Sequence, residues 1–299
     1  VPLPVSGVAT LGLLSVTVAW GSTFFLIKDA VASMPVTDFL ALRFVVAAVV
    51  LVAIAPRAAR RLSRVARRRG VVLGVVYGLA QILQTAGLQH TSASVSGFVT
   101  GMYVVFTPLL AGLLLRQHVG RVAWVAVALA TVGLGVLSLR GLAVGYGELL
   151  TLAAAAGYAL HILGLGAWTT ARDAMGLAVV QMATIAAVCS VAAVPGGLTL
   201  PPDGGAWFGV LYTALVAGAF ALVVQTWAQA HIPAVRAAVI MTMEPVFAGL
   251  FAILLGGESL TLRIVLGGGL VLAAMYLAEL GQVHRGRAAA TEVPHPSAP

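Results

Sequence analysis

Residues 84–114, QTAGLQHTSASVSGFVTGMYVVFTPLLAGLL, lie without a gap over residues 225–255, QTWAQAHIPAVRAAVIMTMEPVFAGLFAILL, when the chain is shifted by 141 positions. Eleven of the 31 positions are identical, among them Gln84/Gln225, Thr85/Thr226, His90/His231, Met102/Met243 and Phe106/Phe247. Apolar composition alone explains shared leucines. It does not explain a shared Gln-Thr pair and a shared histidine. The chain is therefore read as two related halves.

Composition says what kind of halves. The 299 residues are 61% hydrophobic and 9% charged, whereas soluble domains carry about a quarter charged residues. This is the composition of an integral membrane protein. A bilayer core about 30 Å thick needs about 20 apolar residues of helix. Ten segments qualify: 8–27, 36–55, 71–89, 95–115, 122–139, 147–167, 174–194, 206–229, 235–255 and 262–280. No basic residue precedes the first apolar run, which is long enough to span, so it reads as a helix and not as a cleaved signal. The expected fold is all-α and integral to the membrane, with ten transmembrane helices in two inverted five-helix repeats. Its parts are 1–140, 141–281 and a disordered cytoplasmic tail, 282–299. Inversion follows from the odd number of spans per half, because the second half then enters the bilayer in the opposite sense. Inverted repeats characterise alternating-access transporters, with the substrate site near the midplane between the halves.

The charge pattern sets orientation. PRAARRLSRVARRRG, 56–70, holds seven arginines between spans two and three. Such a run can bind nucleic acid or anionic lipid, but a topology anchor is the simpler reading, and no nucleic-acid partner is expected. With this loop inside, thirteen Lys/Arg fall on the cytoplasmic side and three outside (Lys28, Arg140 and Arg263). The positive-inside rule thus places both termini in the cytoplasm. The single cysteine, Cys189, rules out an internal disulfide and reads as an inert core thiol.

AWGSTFFLIK (19–28), ALRFVVAAVVL (41–51) and EPVFAGLFAILLGGESLT (244–261) resemble the drug/metabolite transporter superfamily, EamA-type branch. The resemblance covers nearly the whole chain. It implies a secondary transporter of the inner (plasma) membrane, commonly an exporter of amino acids, other metabolites or toxic compounds, and often proton-coupled. One departure stands out. Relatives often end span four with an acid, as Glu258 ends span nine, but here the equivalent residue is Gln117. Any role of that acid falls to Glu258.

Polar residues in apolar spans are the site candidates. Glu244 lies mid-span, where an ionised acid costs about 2.5–3.5 kcal/mol and is functional by default. It is the expected proton or substrate-amine site, and its repeat mate is Tyr103. Pro245 leaves a carbonyl one turn earlier without its helical donor, so a neighbouring helix or a wet cavity must satisfy it. Pro108, one turn off the equivalent place, is the helix-break candidate in span four. Arg43 is placed to attract a substrate carboxylate, to pair with Glu244, or to snorkel outward. His161 is a relay or an interhelical partner. Gln81, Gln84 and Gln225 read a polar ligand or glue helices. Trp20 and Trp227 line the cavity or pack. Neither a metal site nor a cofactor is expected, nor an enzyme: no H-E-x-x-H, G-x-S-x-G or close Asp pair is present. The expected partners are a small-molecule substrate, protons and the lipid bilayer. The favoured solute is amphipathic or zwitterionic. A lipid flippase, an uncoupled facilitator and a receptor or scaffold remain as alternatives.

Overall fold

A computed structural model describes residues 4–114, 121–140, 143–232, 237 and 240–291. Apart from two-residue strands at Leu139–Arg140 and Ala143–Val144, its regular elements are helical. We number the helices α1 (Val5–Gly21), α2 (Thr23–Ser33), α3 (Val36–Ile54), α4 (Arg64–Gln89), α5 (Ala93–Thr100), α6 (Tyr103–Leu114), α7 (Arg121–Ser138), α8 (Tyr146–Trp168), α9 (Ala174–Ala193), α10 (Gly204–Tyr212), α11 (Ala221–Gln229), α12 (Glu244–Leu254) and α13 (Leu262–Thr291). A π-helical segment, Thr213–Phe220, joins α10 to α11.

Among the described residues, seven helical stretches are long and apolar enough to cross a bilayer, and three shorter apolar helices (Trp124–Leu137, Glu244–Leu254 and Leu262–Leu277) accompany them. About half of each long stretch is buried. The other half exposes side chains such as Val49, Leu79 and Val191. A helix that is apolar on its outer face as well as its inner one belongs in lipid. Helices also satisfy their backbone groups internally, which hydrocarbon requires. The last helix runs past the expected boundary at Gly281 to Thr291, so part of the anticipated tail is helical.

Contacts come in sets related by the 141-residue shift. The α4–α8 contact corresponds to that of α11 with α1, and α4–α9 to that of the π segment with α3. Two further contacts, α3–α9 and α7–α13, join equivalent helices of the two halves, and α5–α12 joins spans four and nine, which are themselves equivalent. Glycines make several of these approaches possible. A Cβ on Gly97 would stand 2.4 Å from the Ala248 Cβ, and one on Gly74 would stand 2.8 Å from the Gln181 carbonyl oxygen. The glycines of GVVYG (74–78), GFVTG (97–101) and LGGGL (266–270) include several such approaches, with Gly268 set against the Phe98 ring.

Candidate functional site

Two helices break at equivalent places. The α5–α6 run turns at Gly101–Met102, and the chain leading into α12 turns at Thr242–Met243. These positions coincide under the 141-residue shift. Immediately after each turn stands a polar residue, Tyr103 in one case and Glu244 in the other. The two meet: Tyr103 Oη lies 2.9 Å from Glu244 Oε2 and 3.0 Å from the Met241 carbonyl oxygen. That carbonyl is the one Pro245 leaves without a helical donor, four residues on. The tyrosine of one half thus repairs the break in the other. Pro108 is not a break point. It sits inside α6, which continues to Leu114. The break falls at Gly101, where a Cβ would lie 3.1 Å from Pro245 Cγ.

Around this junction is a cavity of about 40 Å³. Its walls include Trp20, Arg43, Gln84, Tyr103, His161, Gln225 and Glu244. Eight of the nine candidates read from the sequence, Gln81 among them, therefore converge. Trp227 does not join them; it lies with its ring 4.5 Å from that of His231, beside the small cluster of Ala9, Leu13 and Ile232. At roughly 10–15 Å³ per water position, the cavity holds a few waters. It is far below the several hundred Å³ of a drug-sized ligand site.

A continuous hydrogen-bond chain crosses the cavity wall. Arg43 Nη1 donates to Gln81 Oε1 at 3.3 Å, and Gln81 Nε2 donates to Tyr158 Oη at 2.7 Å. Tyr158 Oη donates to Gln84 Oε1 at 2.7 Å, and Gln84 Nε2 donates to Thr100 Oγ1 at 2.9 Å. The chain ends beside the Gly101 turn. Arg43 is 2% exposed, and its Nε donates to the Thr213 carbonyl at 3.3 Å. Among the described residues no carboxylate pairs with it, Glu244 included. The buried charge is met by neutral dipoles and by the Phe44 ring, whose centroid lies 4.8 Å from its guanidinium carbon. The π segment supplies one of the dipoles. Its wider turn also leaves the Ala217 carbonyl to accept from Trp20 Nε1 at 2.9 Å. Such π insertions recur at functional sites.

His161 is 1% exposed and bonds Gln181 Oε1 through Nε2 at 2.8 Å, with Tyr77 edge-on at 4.9 Å. The repeat mates Gln84 and Gln225 differ. Both amide atoms of Gln84 are bonded, while Gln225 Oε1 is buried without a partner among the described residues. Sequence reasoning missed Tyr77, Tyr158 and Thr100. Tyrosines inside apolar spans were a usable signal. Just beyond Ile27 and Leu88, side chains tie helix ends together. Lys28 donates to the Thr91 carbonyl, Gln89 Nε2 to the Val31 carbonyl (3.1 Å), and Thr91 Oγ1 to Glu148 (2.8 Å). Glu258 caps α5, accepting from Ala93 N at 2.6 Å, from Ser94 N at 3.2 Å and from the Ser94 hydroxyl. Gln117 lies outside the described residues.

With this geometry established, similarity to other proteins assigns the family. A model of the EamA-like transporter family matches twice, over residues 7–139 and 145–280. The chain belongs to the EamA-like transporter family. The two matches divide the chain as the internal repeat does. An "Uncharacterized transporter" of Archaeoglobus fulgidus is 30% identical over 277 residues, covering 91% of this chain and 86% of that one. The "Uncharacterized inner membrane transporter YedA" of Escherichia coli K12 is 24% identical over 280 residues, covering 90% of each. A solved crystal structure shares the fold with a TM-score of 0.66 at 17% identity, over 92% of this chain and 97% of that one. Family and relatives point to a multi-pass membrane transporter acting on a small molecule.

Proposed function

We propose that this EamA-family protein is a secondary active transporter of the inner membrane, with ten spans in two inverted halves and both termini cytoplasmic. The central cavity is its substrate site, alternately opened to each side. One observation carries the reading. Tyr103 and Glu244, equivalent residues of the two halves, hydrogen-bond to each other at paired helix breaks beside that cavity. Broken helices of this kind mark binding sites in inverted-repeat transporters. The contacts that exchange under the 141-residue shift support the two-half architecture.

The substrate is a small amphipathic or zwitterionic metabolite. Arg43 and Glu244 line one cavity and do not pair with each other. A solute with a carboxylate and an amine satisfies both, and the aromatic rings take its apolar part. Export, the direction implied by the family resemblance, fits the same site. Glu244 is the proton-coupling group. Tyr103 has one phenolic hydrogen but faces two acceptors, the Met241 carbonyl and the Glu244 carboxyl. With a proton on Glu244, the acid donates to Tyr103 Oη and the phenol donates to Met241. Loss of that proton leaves the phenol shared and loosens the junction between the halves. The small cavity and the ties beyond Leu88 fit a closed state of the cycle.

The test is reconstitution in liposomes with labelled amino acids, nucleosides and cationic drugs, for the wild type and for Met241→Trp, which fills the cavity. Saturable uptake of at least one zwitterion, abolished by M241W in protein that still elutes as a folded species, is the expected result. Uptake unchanged by M241W would place the site elsewhere.

A further inference from the structure

A second pocket, apart from the central cavity, lies at the arginine-rich end of the bundle. Its volume is about 710 Å³. Arg57 and Arg61 line it from the link between α3 and α4, and Arg172 lines it from the link between α8 and α9. Among the described residues Asp173 is the one acid in its wall, against three guanidinium groups. Among the described residues, none of the three arginines is tied to a carboxylate by a hydrogen bond or ion pair. The remaining wall includes Leu62 and Met175, so the pocket is cationic on one side and apolar on another.

Its shape is held by packing. A Cβ on Gly176 would stand 2.8 Å from the Ala58 carbonyl oxygen and 2.8 Å from Leu62 Cγ, so the first link is pressed onto the start of α9. Two guanidinium groups come from the first half of the chain and one from the second. The pocket therefore spans the seam where α3 packs against α9.

From this we infer that the pocket is a binding site for the phosphate headgroup of an anionic phospholipid. The three guanidinium groups take the phosphate, and the apolar wall of Leu62 and Met175 takes the start of the acyl chains. Charge complementarity favours the anion. The adjoining lipid-facing helices favour a lipid over a free anion, because the exposed apolar side chains Val52 and Ile54 of α3 continue from the pocket toward the bilayer. Basic pockets between helix ends bind anionic headgroups in this manner. A lipid seated there bridges the two halves and stabilises their contact at this end.

The inference stands apart from the substrate reading and is tested without transport. The full chain, in neutral detergent, is titrated with phosphatidylglycerol, phosphatidylcholine or soluble glycerol phosphate, and thermal unfolding and lipid retention by native mass spectrometry are recorded. Phosphatidylglycerol alone is expected to raise the melting temperature. In R57Q/R61Q/R172Q the affinity for it falls by more than about tenfold, since each guanidinium is worth roughly fivefold. The control R60Q/R64Q/R68Q removes the same charge outside the pocket wall and keeps wild-type affinity. Both variants should melt like the wild type before lipid is added. If the triple variant does not fold, R172Q alone should weaken retention about fivefold. Equal losses in both triple variants would reduce the effect to general surface charge. Equal stabilisation by glycerol phosphate would make the site one for free anions. No stabilisation by phosphatidylglycerol would overturn the inference outright.

Discussion

The Tyr103–Met241–Pro245 arrangement makes a quantitative prediction. Tyr103→Phe removes the hydroxyl whose oxygen lies 3.0 Å from the Met241 carbonyl oxygen. Proline 245 has no N–H, so nothing in the helix replaces it. A buried acceptor left unpaired costs about 1–3 kcal/mol. Interhelical bonds in membranes average lower, about 0.6 and at most about 1.7 kcal/mol. We expect a loss of about 1–2 kcal/mol. In a Pro245→Ala background, the amide at 245 can donate to Met241, and the same tyrosine change should cost about 1 kcal/mol less. A double-mutant cycle isolates this term. The assay is equilibrium unfolding in mixed micelles of increasing denaturing detergent, for the wild type, both single variants and the double variant. Additive costs, with no coupling between 103 and 245, would refute the claim that the tyrosine serves the proline-freed carbonyl.

Three further outcomes follow from the geometry. Gly97→Val sets a branched side chain where even a Cβ would lie 2.4 Å from Ala248, so overpacking of about 1–3 kcal/mol should lower the melting temperature. Val99→Ala, on the same helix, should not show a clash of this kind, because it only shortens a buried side chain. Glu258→Gln weakens the acidic cap on the first turn of α5 and should cost about 0.5–2 kcal/mol, read by thermal unfolding. Arg43→Gln removes a buried cation and ends the Gln81–Tyr158–Gln84 chain. Uptake of carboxylate-bearing solutes should fall by at least about tenfold, equivalent to about 1.4 kcal/mol, while a neutral analogue should be affected less. Equal losses for both solutes would argue for a structural role of Arg43.

How much of this was legible in the sequence depends on the kind of feature. Hydrophobic run length is a one-dimensional property, so the helical membrane architecture was readable directly. The meeting of Tyr103 and Glu244 was half readable: the 141-residue shift pairs them, and inverted halves bring equivalent positions together. The unpaired carbonyl before Pro245 was deducible from proline chemistry, but its partner was not, because the partner comes from another helix. Tyr158 was missed for a related reason. Its equivalent in the first half is Thr17, so the repeat gave no hint that it links Gln81 to Gln84. The π segment at 213–220 has no composition signature, since one added residue in a turn leaves the apolar pattern unchanged. Trp227 shows the limit of residue type as a guide. An aromatic in a span packs as readily as it lines a cavity, and this one packs. The extension of α13 to Thr291 was hidden because its final residues are polar, and helices outside the bilayer need no apolar run.

The central claim is that Glu244 carries the coupling proton. The most direct measurement loads liposomes with a pH-sensitive dye and adds a transported solute outside, for the wild type and for Glu244→Gln. The account predicts substrate-dependent proton movement in the wild type. In the variant that movement disappears, while exchange of labelled for unlabelled substrate persists, because glutamine can still hydrogen-bond to Tyr103 but cannot release a proton. Substrate exchange in the wild type without any proton movement would contradict the account and leave the protein a facilitator, with Glu244 a structural or ligand-binding carboxyl.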